Sequence, residues 1–91
     1  MELARGTFTV RNKLGLHARA ATRLVETATR FPCDVLISRD GQTANAKSVM
    51  GVLLLCGCPG SLLEIEARGP QATQAVTEIG ALIDDRFGEG E

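Results

Sequence analysis

Ser61–Arg68 is the clearest strand in the chain: Leu63, Ile65 and Ala67, all apolar, alternate with the charged Glu64, Glu66 and Arg68. A period of two puts successive side chains on opposite faces of a strand, so this segment needs one dry face and one wet one. That requirement excludes a fully buried parallel strand, which reads as a continuous apolar run, and points to an antiparallel sheet covered on one side only. With 91 residues there is room for one small core. Aromatic residues make up only 3% of the chain, so aliphatic side chains must fill that core.

The remaining elements follow from the same kind of pattern. Thr7–Val10 alternates and is rich in β-formers, which predicts a first strand with Phe8 and Val10 inward. From Ala18 to Phe31, Ala21, Leu24, Val25, Ala28 and Phe31 recur at helical spacing, while Arg19, Thr22, Arg23, Glu26, Thr27 and Arg30 take the other face. Pro32 closes that helix, because proline disfavours helical geometry in the residue before it. Cys33–Arg39 reads as a second strand with Cys33, Val35 and Ile37 on one face. Asp40-Gly41 is a tight hairpin turn, and Gln42–Asn45 is a weak edge strand. Ser48 is a good N-cap for a short helix over Val49–Leu55. That helix is apolar all round, and a small domain has little interior to enclose it, so one face is expected to lie exposed as a docking patch. Gly69-Pro70 is expected to open a last helix with the proline at its first position and an inner stripe of Ala72, Val76, Ile79 and Ile83, supported by Ala75 and Leu82. Gly88–Glu91 is polar and is expected to be a flexible tail.

The order is β-α-β-β-α-β-α. It predicts an α+β, two-layer open-faced sandwich: a four-stranded antiparallel sheet covered on one face by three helices. The whole of residues 1–91 reads as one domain, with its core over about residues 6–87. A formal net charge of −1 argues against nucleic acid as a partner. The first residues carry no signal-peptide pattern, and the longest apolar run, Val49–Cys58, falls far short of a membrane span. Both features lead to the expectation of a cytoplasmic protein without membrane insertion. Three cysteines are an odd number for a disulfide framework. Cys56-Gly57-Cys58 has one residue between its thiols, where structural zinc sites have two or more, so Cys33, Cys56 and Cys58 are expected to be reduced, packed thiols, with no metal and no cofactor.

The chemistry concentrates in Asn12-Lys13-Leu14-Gly15-Leu16-His17-Ala18-Arg19-Ala20-Ala21, which holds the only histidine. His17 stands where an extended segment gives way to a helix. A helix start presents unpaired N–H groups and the positive end of the peptide dipoles, and so favours phosphate. Gly15 allows a tight approach to that start, and the backbone at Ala18 and Ala20 can support a phosphate. Arg19 adds a fixed charge and a forked donor. A neutral imidazole is a competent nucleophile near neutral pH, and the nitrogen–phosphorus bond it forms is readily passed on, so His17 suits a phosphoryl relay. No second catalytic group stands out nearby, which implies that partner enzymes complete the site. Gly41–Ser48 comes near a P-loop, but Ala46 replaces a required glycine and the segment follows a hairpin turn rather than a parallel strand.

These motifs resemble those of the histidine phosphocarrier proteins of the bacterial phosphoenolpyruvate-dependent phosphotransferase system, the HPr family. Asn12–Arg19 is similar to the family's phosphorylation motif, and Ala46-Lys47-Ser48-Val49-Met50-Gly51-Val52 to its regulatory-serine motif. The resemblance implies that His17 carries the phosphoryl group on Nδ1, with Arg19 as the active-site arginine. It implies enzyme I as donor, an enzyme IIA as acceptor, and an HPr kinase/phosphorylase acting on Ser48. It further implies that Val49, Met50 and Leu53 belong to the partner-docking surface of a monomer. Such a protein is a carrier in a relay rather than a stand-alone catalyst. The alternative is a regulatory module of the same fold that docks without relaying phosphate. One departure is Ala20, which stands where the family usually has proline and restores a backbone N–H at the helix start. Asn12–Gly15 and Glu66–Gln71 look like the nitrogen-related branch, whereas Lys47–Val52 looks like the sugar-type members.

Overall fold

The computed structural model describes residues 1–90. Four strands, β1 (Leu3–Thr9), β2 (Asp34–Arg39), β3 (Gln42–Asn45) and β4 (Leu62–Arg68), and three helices, α1 (Ala18–Thr29), α2 (Val49–Leu54) and α3 (Ala72–Asp84), follow the expected β-α-β-β-α-β-α order. The strands form one antiparallel sheet in the order β1-β4-β2-β3. β4, the strand with the strictest alternation, therefore lies inside the sheet, paired Phe8↔Leu63 on one side and Ile37↔Ile65 on the other. Leu63, Ile65 and Ala67 join Val35 and Ile37 in the buried core, while Glu64 faces water and Glu66 binds Arg5 and Arg68 on the outer face. β3, with its small residues, is an edge strand.

Several element boundaries differ from expectation. β1 begins at Leu3, four residues early, because its alternation on the edge of the sheet carries little apolar signal: Leu3 and Arg5 are exposed. Val10 lies just beyond that strand, fully buried, with its N–H donating to Ser61 O. α1 stops at Thr29, two residues short, with Arg30 as C-cap. Thr27, placed on the polar face by its side chain, is buried. Its hydroxyl donates to Arg23 O at 3.0 Å, and this internal bond lets a threonine face the core. Pro70 is outside α3. The helix begins at Ala72 after Gln71, which takes a left-handed conformation (φ 66°) as N-cap, so the turn and not the proline starts this helix. Cys33 is buried, but Cys56 and Cys58 are exposed on the loop before β4, so only the first behaves as a packed thiol.

The largest departure concerns the segment after α3. Of the tail expected over Gly88–Glu91, Glu91 lies outside the described residues, and Glu89 is held by Asn12 and His17. Residues Arg86–Gly88 form a short 3-10 turn whose φ angles are all positive (56°, 54° and 76°). Phe87 turns inward and is fully buried. Left-handed backbone costs roughly 1–2 kcal/mol at each of Arg86 and Phe87, a penalty that burial of the phenylalanine ring offsets in large part. The chain then runs back over the start of α1. No helix among the described residues is long and apolar enough to cross a membrane.

Candidate functional site

His17 is the N-cap of α1, with extended backbone (φ −78°, ψ 178°), and its O accepts from Ala21 N–H at 2.9 Å. Two glycines bring the chain to this point. Gly15 has φ +67°, and a Cβ there would lie 2.4 Å from Gly57 O, so no side chain fits. Gly57 O in turn accepts from Leu16 N–H at 2.7 Å, which ties the loop before α1 to the loop before β4. Gly15 N–H is already bonded to Asn12 O at 3.2 Å. The role of Gly15 is thus to shape the turn rather than to donate. Ala18 and Ala20 differ. Their N–H groups lie in the first turn of α1, and neither makes a hydrogen bond outside the helix among the described residues. The methyl group of Ala20 packs in the core.

The imidazole of His17 is 27% exposed, and its two nitrogens have distinct partners. Nδ1 accepts from Arg19 N–H at 3.3 Å. Nε2 meets the Glu89 carboxylate in a short contact. A carboxylate only accepts, so Nε2 carries the ring proton and the lone pair of neutral His17 is on Nδ1. Lys13, Arg19 and Arg23 line the same surface hollow with His17 and Glu89. Asn12, the fully buried residue that opens the motif, donates from Nδ2 both to Gly15 O at 2.7 Å and to Glu89 Oε1 at 2.9 Å. Burial works against the charge on Glu89, but the bonds from Asn12 and His17 and the nearby charge of Arg19 outweigh it and hold its carboxyl below the ordinary range.

Ser48 caps the second helix in the same way, its Oγ accepting from Gly51 N–H at 3.1 Å. It lies in a separate groove beside Thr43, Gly51 and Leu54. On α2, Val52 is fully buried and Leu55, just after it, nearly so. Val49 and Leu53 are half-buried, and Met50 and Leu54 are 69% and 71% exposed. The helix is therefore half-buried as expected. Leu54, which the sequence reading left out of the docking group, is its most exposed residue. Lys47 does not reach towards a phosphate in a P-loop: its Nζ donates to Phe31 O at 2.8 Å, beyond the end of α1.

A sequence profile described as "PTS HPr component phosphorylation site" matches residues 4–85. The chain belongs to the HPr family. It is 47% identical over 83 residues to the phosphocarrier protein HPr of Cupriavidus necator, covering 91% of this chain and 93% of that protein. It is 42% identical over 85 residues to HPr of Pseudomonas aeruginosa, covering 92% and 94% respectively. A crystal structure of HPr from Thermoanaerobacter tengcongensis superposes with a TM-score of 0.91 at 35% identity, covering 94% of this chain and 97% of that one. The chain is thus an HPr phosphocarrier of the phosphotransferase system. Both the histidine and the serine motifs lie within the matched span. Glu89 lies beyond it, and sequence reasoning missed it; the available signal was Phe87, an isolated aromatic in a polar stretch.

Proposed function

We propose that His17 accepts a phosphoryl group on Nδ1 from phosphorylated enzyme I, charged by phosphoenolpyruvate, and passes it to an enzyme IIA. The observation that carries this reading is the orientation of the ring: Nε2 is occupied by Glu89, and the lone pair of Nδ1 lies at the start of α1. The long contact from Arg19 N–H is readily given up. As the Nδ1 lone pair attacks phosphorus, the bond from phosphorus to the donor breaks and its electron pair leaves with the donor. The proton on Nε2 stays in place. Arg19 N–H, now released, can turn to a phosphoryl oxygen together with the N–H groups of Ala18 and Ala20. Lys13, Arg19 and Arg23 supply positive charge around the group in transit. In this reading Ala20 in place of proline adds a donor to the phosphate site.

Ser48 fills a different role. By its motif it is the site of an HPr kinase/phosphorylase, and a serine ester is stable where a phosphohistidine is labile. Its position supports such a switch, because a phosphate there would stand beside exposed Leu54 and near Met50, at the edge of the apolar surface on which partners would dock.

The test is incubation with enzyme I and phosphoenolpyruvate, read by intact mass. The wild type should gain one phosphoryl group that acid removes and base does not. His17→Ala should keep its fold and gain none. An adduct on His17→Ala would end the carrier assignment of His17, and no adduct on the wild type would leave the docking module as the better description.

A further inference from the structure

The segment after α3 is built to deliver a carboxylate. Phe87 anchors it in the core, and Arg23 donates from its guanidinium to Phe87 O. Gly88 follows at φ +76°, a left-handed conformation that favours glycine, beside the Arg23 guanidinium. The next residue, Glu89, has only 10% of its side chain exposed. Its Oε1 is held by Asn12 and its Oε2 by His17 Nε2. Asn12 also fixes Gly15 O, so one buried amide holds both the turn that places His17 and the carboxylate that orients it.

We propose that Glu89 is a positioning residue for phosphoryl transfer, which clasps His17 in the tautomer with its proton on Nε2 and steadies the ring while it bears phosphorus. The inference rests on His17 as the carrier. Its chemistry is that of a carboxylate behind a histidine. In the free protein the clasp keeps the Nδ1 lone pair available. Once Nδ1 is bonded to phosphorus and Nε2 keeps its proton, the ring carries positive charge, and the carboxylate stabilises it. When the phosphoryl group departs, the N–P electron pair returns to Nδ1 and neutral imidazole remains, with the same proton on Nε2. No proton need be exchanged with water in either step.

The groups facing this pair are Lys13 from the loop, Arg19 and Arg23 from α1, and the amide of Asn12. All favour the ionised carboxylate, so the clasp persists through the ordinary carboxylate range and opens only below it.

The experiment compares wild type, Glu89→Gln and Glu89→Asp in the full chain. Nitrogen-15 NMR of neutral His17 reports which ring nitrogen bears the proton. Wild type should show it on Nε2, and Glu89→Gln should show a mixture. Charging by enzyme I should slow about tenfold in Glu89→Gln, the scale of one charge-assisted hydrogen bond at a partly exposed site, with partial rescue in Glu89→Asp. An unchanged tautomer in Glu89→Gln overturns the proposal, whether or not the rate falls, because a slower rate alone would mark a contact with enzyme I. If His17→Ala is charged while the tautomer still responds to Glu89, the clasp is real and the carrier assignment is what fails.

Discussion

His17 and Ser48 are both N-caps, and each offers a side-chain acceptor to an orphan N–H of its helix. Their surroundings differ. Around His17 stand Lys13, Arg19 and Arg23 together with the Glu89 carboxylate, at the head of a 12-residue amphipathic helix. Around Ser48 no ionisable side chain among the described residues lines the groove, and the helix behind it is six residues long, with Met50 and Leu54 turned to water. In the function proposed above, the first place holds and releases charge, and the second is covered by a partner that a charge on Ser48 would disturb. The capping geometry is shared, and the neighbours set the chemistry.

That contrast can be broken most easily at α2. Met50→Asp or Leu54→Asp should weaken binding to enzyme I by tenfold or more, since burying such a side chain contributes about 1.5–3 kcal/mol, while leaving the melting temperature near that of wild type. Isothermal calorimetry and thermal melting separate the two effects. If either variant unfolds, those side chains belong to the core. Val52→Asp is the contrasting control and should unfold the protein, because Val52 is fully buried.

Ser48→Asp should slow charging of His17 several-fold to about tenfold by placing charge at the edge of the docking surface, with stability retained at the helix start. Unchanged charging would reduce Ser48 to a cap. At the other site, Arg19→Lys keeps the charge but loses the fork, and charging should fall by roughly three- to tenfold. Equal rates for Arg19 and lysine would mean that only charge matters there. The smallest effect is expected for Ser48→Ala, which should lower unfolding free energy by about 1 kcal/mol in denaturant titration and leave charging intact.

What the sequence disclosed and what it withheld divide along local and distant interactions. The alternation in β4, the Asp40-Gly41 hairpin and both N-caps depend on residues close in the chain, and all four stand where their patterns put them. The half-buried state of α2 was legible too, since a helix apolar all round has few other solutions in a small domain. Other features depend on partners far along the chain. Gly80 leaves room for the Phe8 ring, which a Cβ would meet at 2.2 Å, and nothing near position 80 announces it. Gln71 adopts a left-handed conformation that proline at position 70 gave no reason to expect. Glu89 was read as part of a polar, flexible tail because polarity is a local property. Its contacts are with Asn12 and His17, 77 and 72 residues away. At the site itself, His17 and Arg19 were visible from the helix start, whereas the group that orients the histidine was not.

The most direct measurement is NMR of the nitrogen-15-labelled protein after charging by enzyme I, with phosphorus-31 observed alongside. The ring of His17 should carry phosphorus on Nδ1 and a proton on Nε2, the nitrogen that faces Glu89. Phosphorus on Nε2, or on any residue other than His17, would contradict the reading of this helix start as the phosphoryl acceptor.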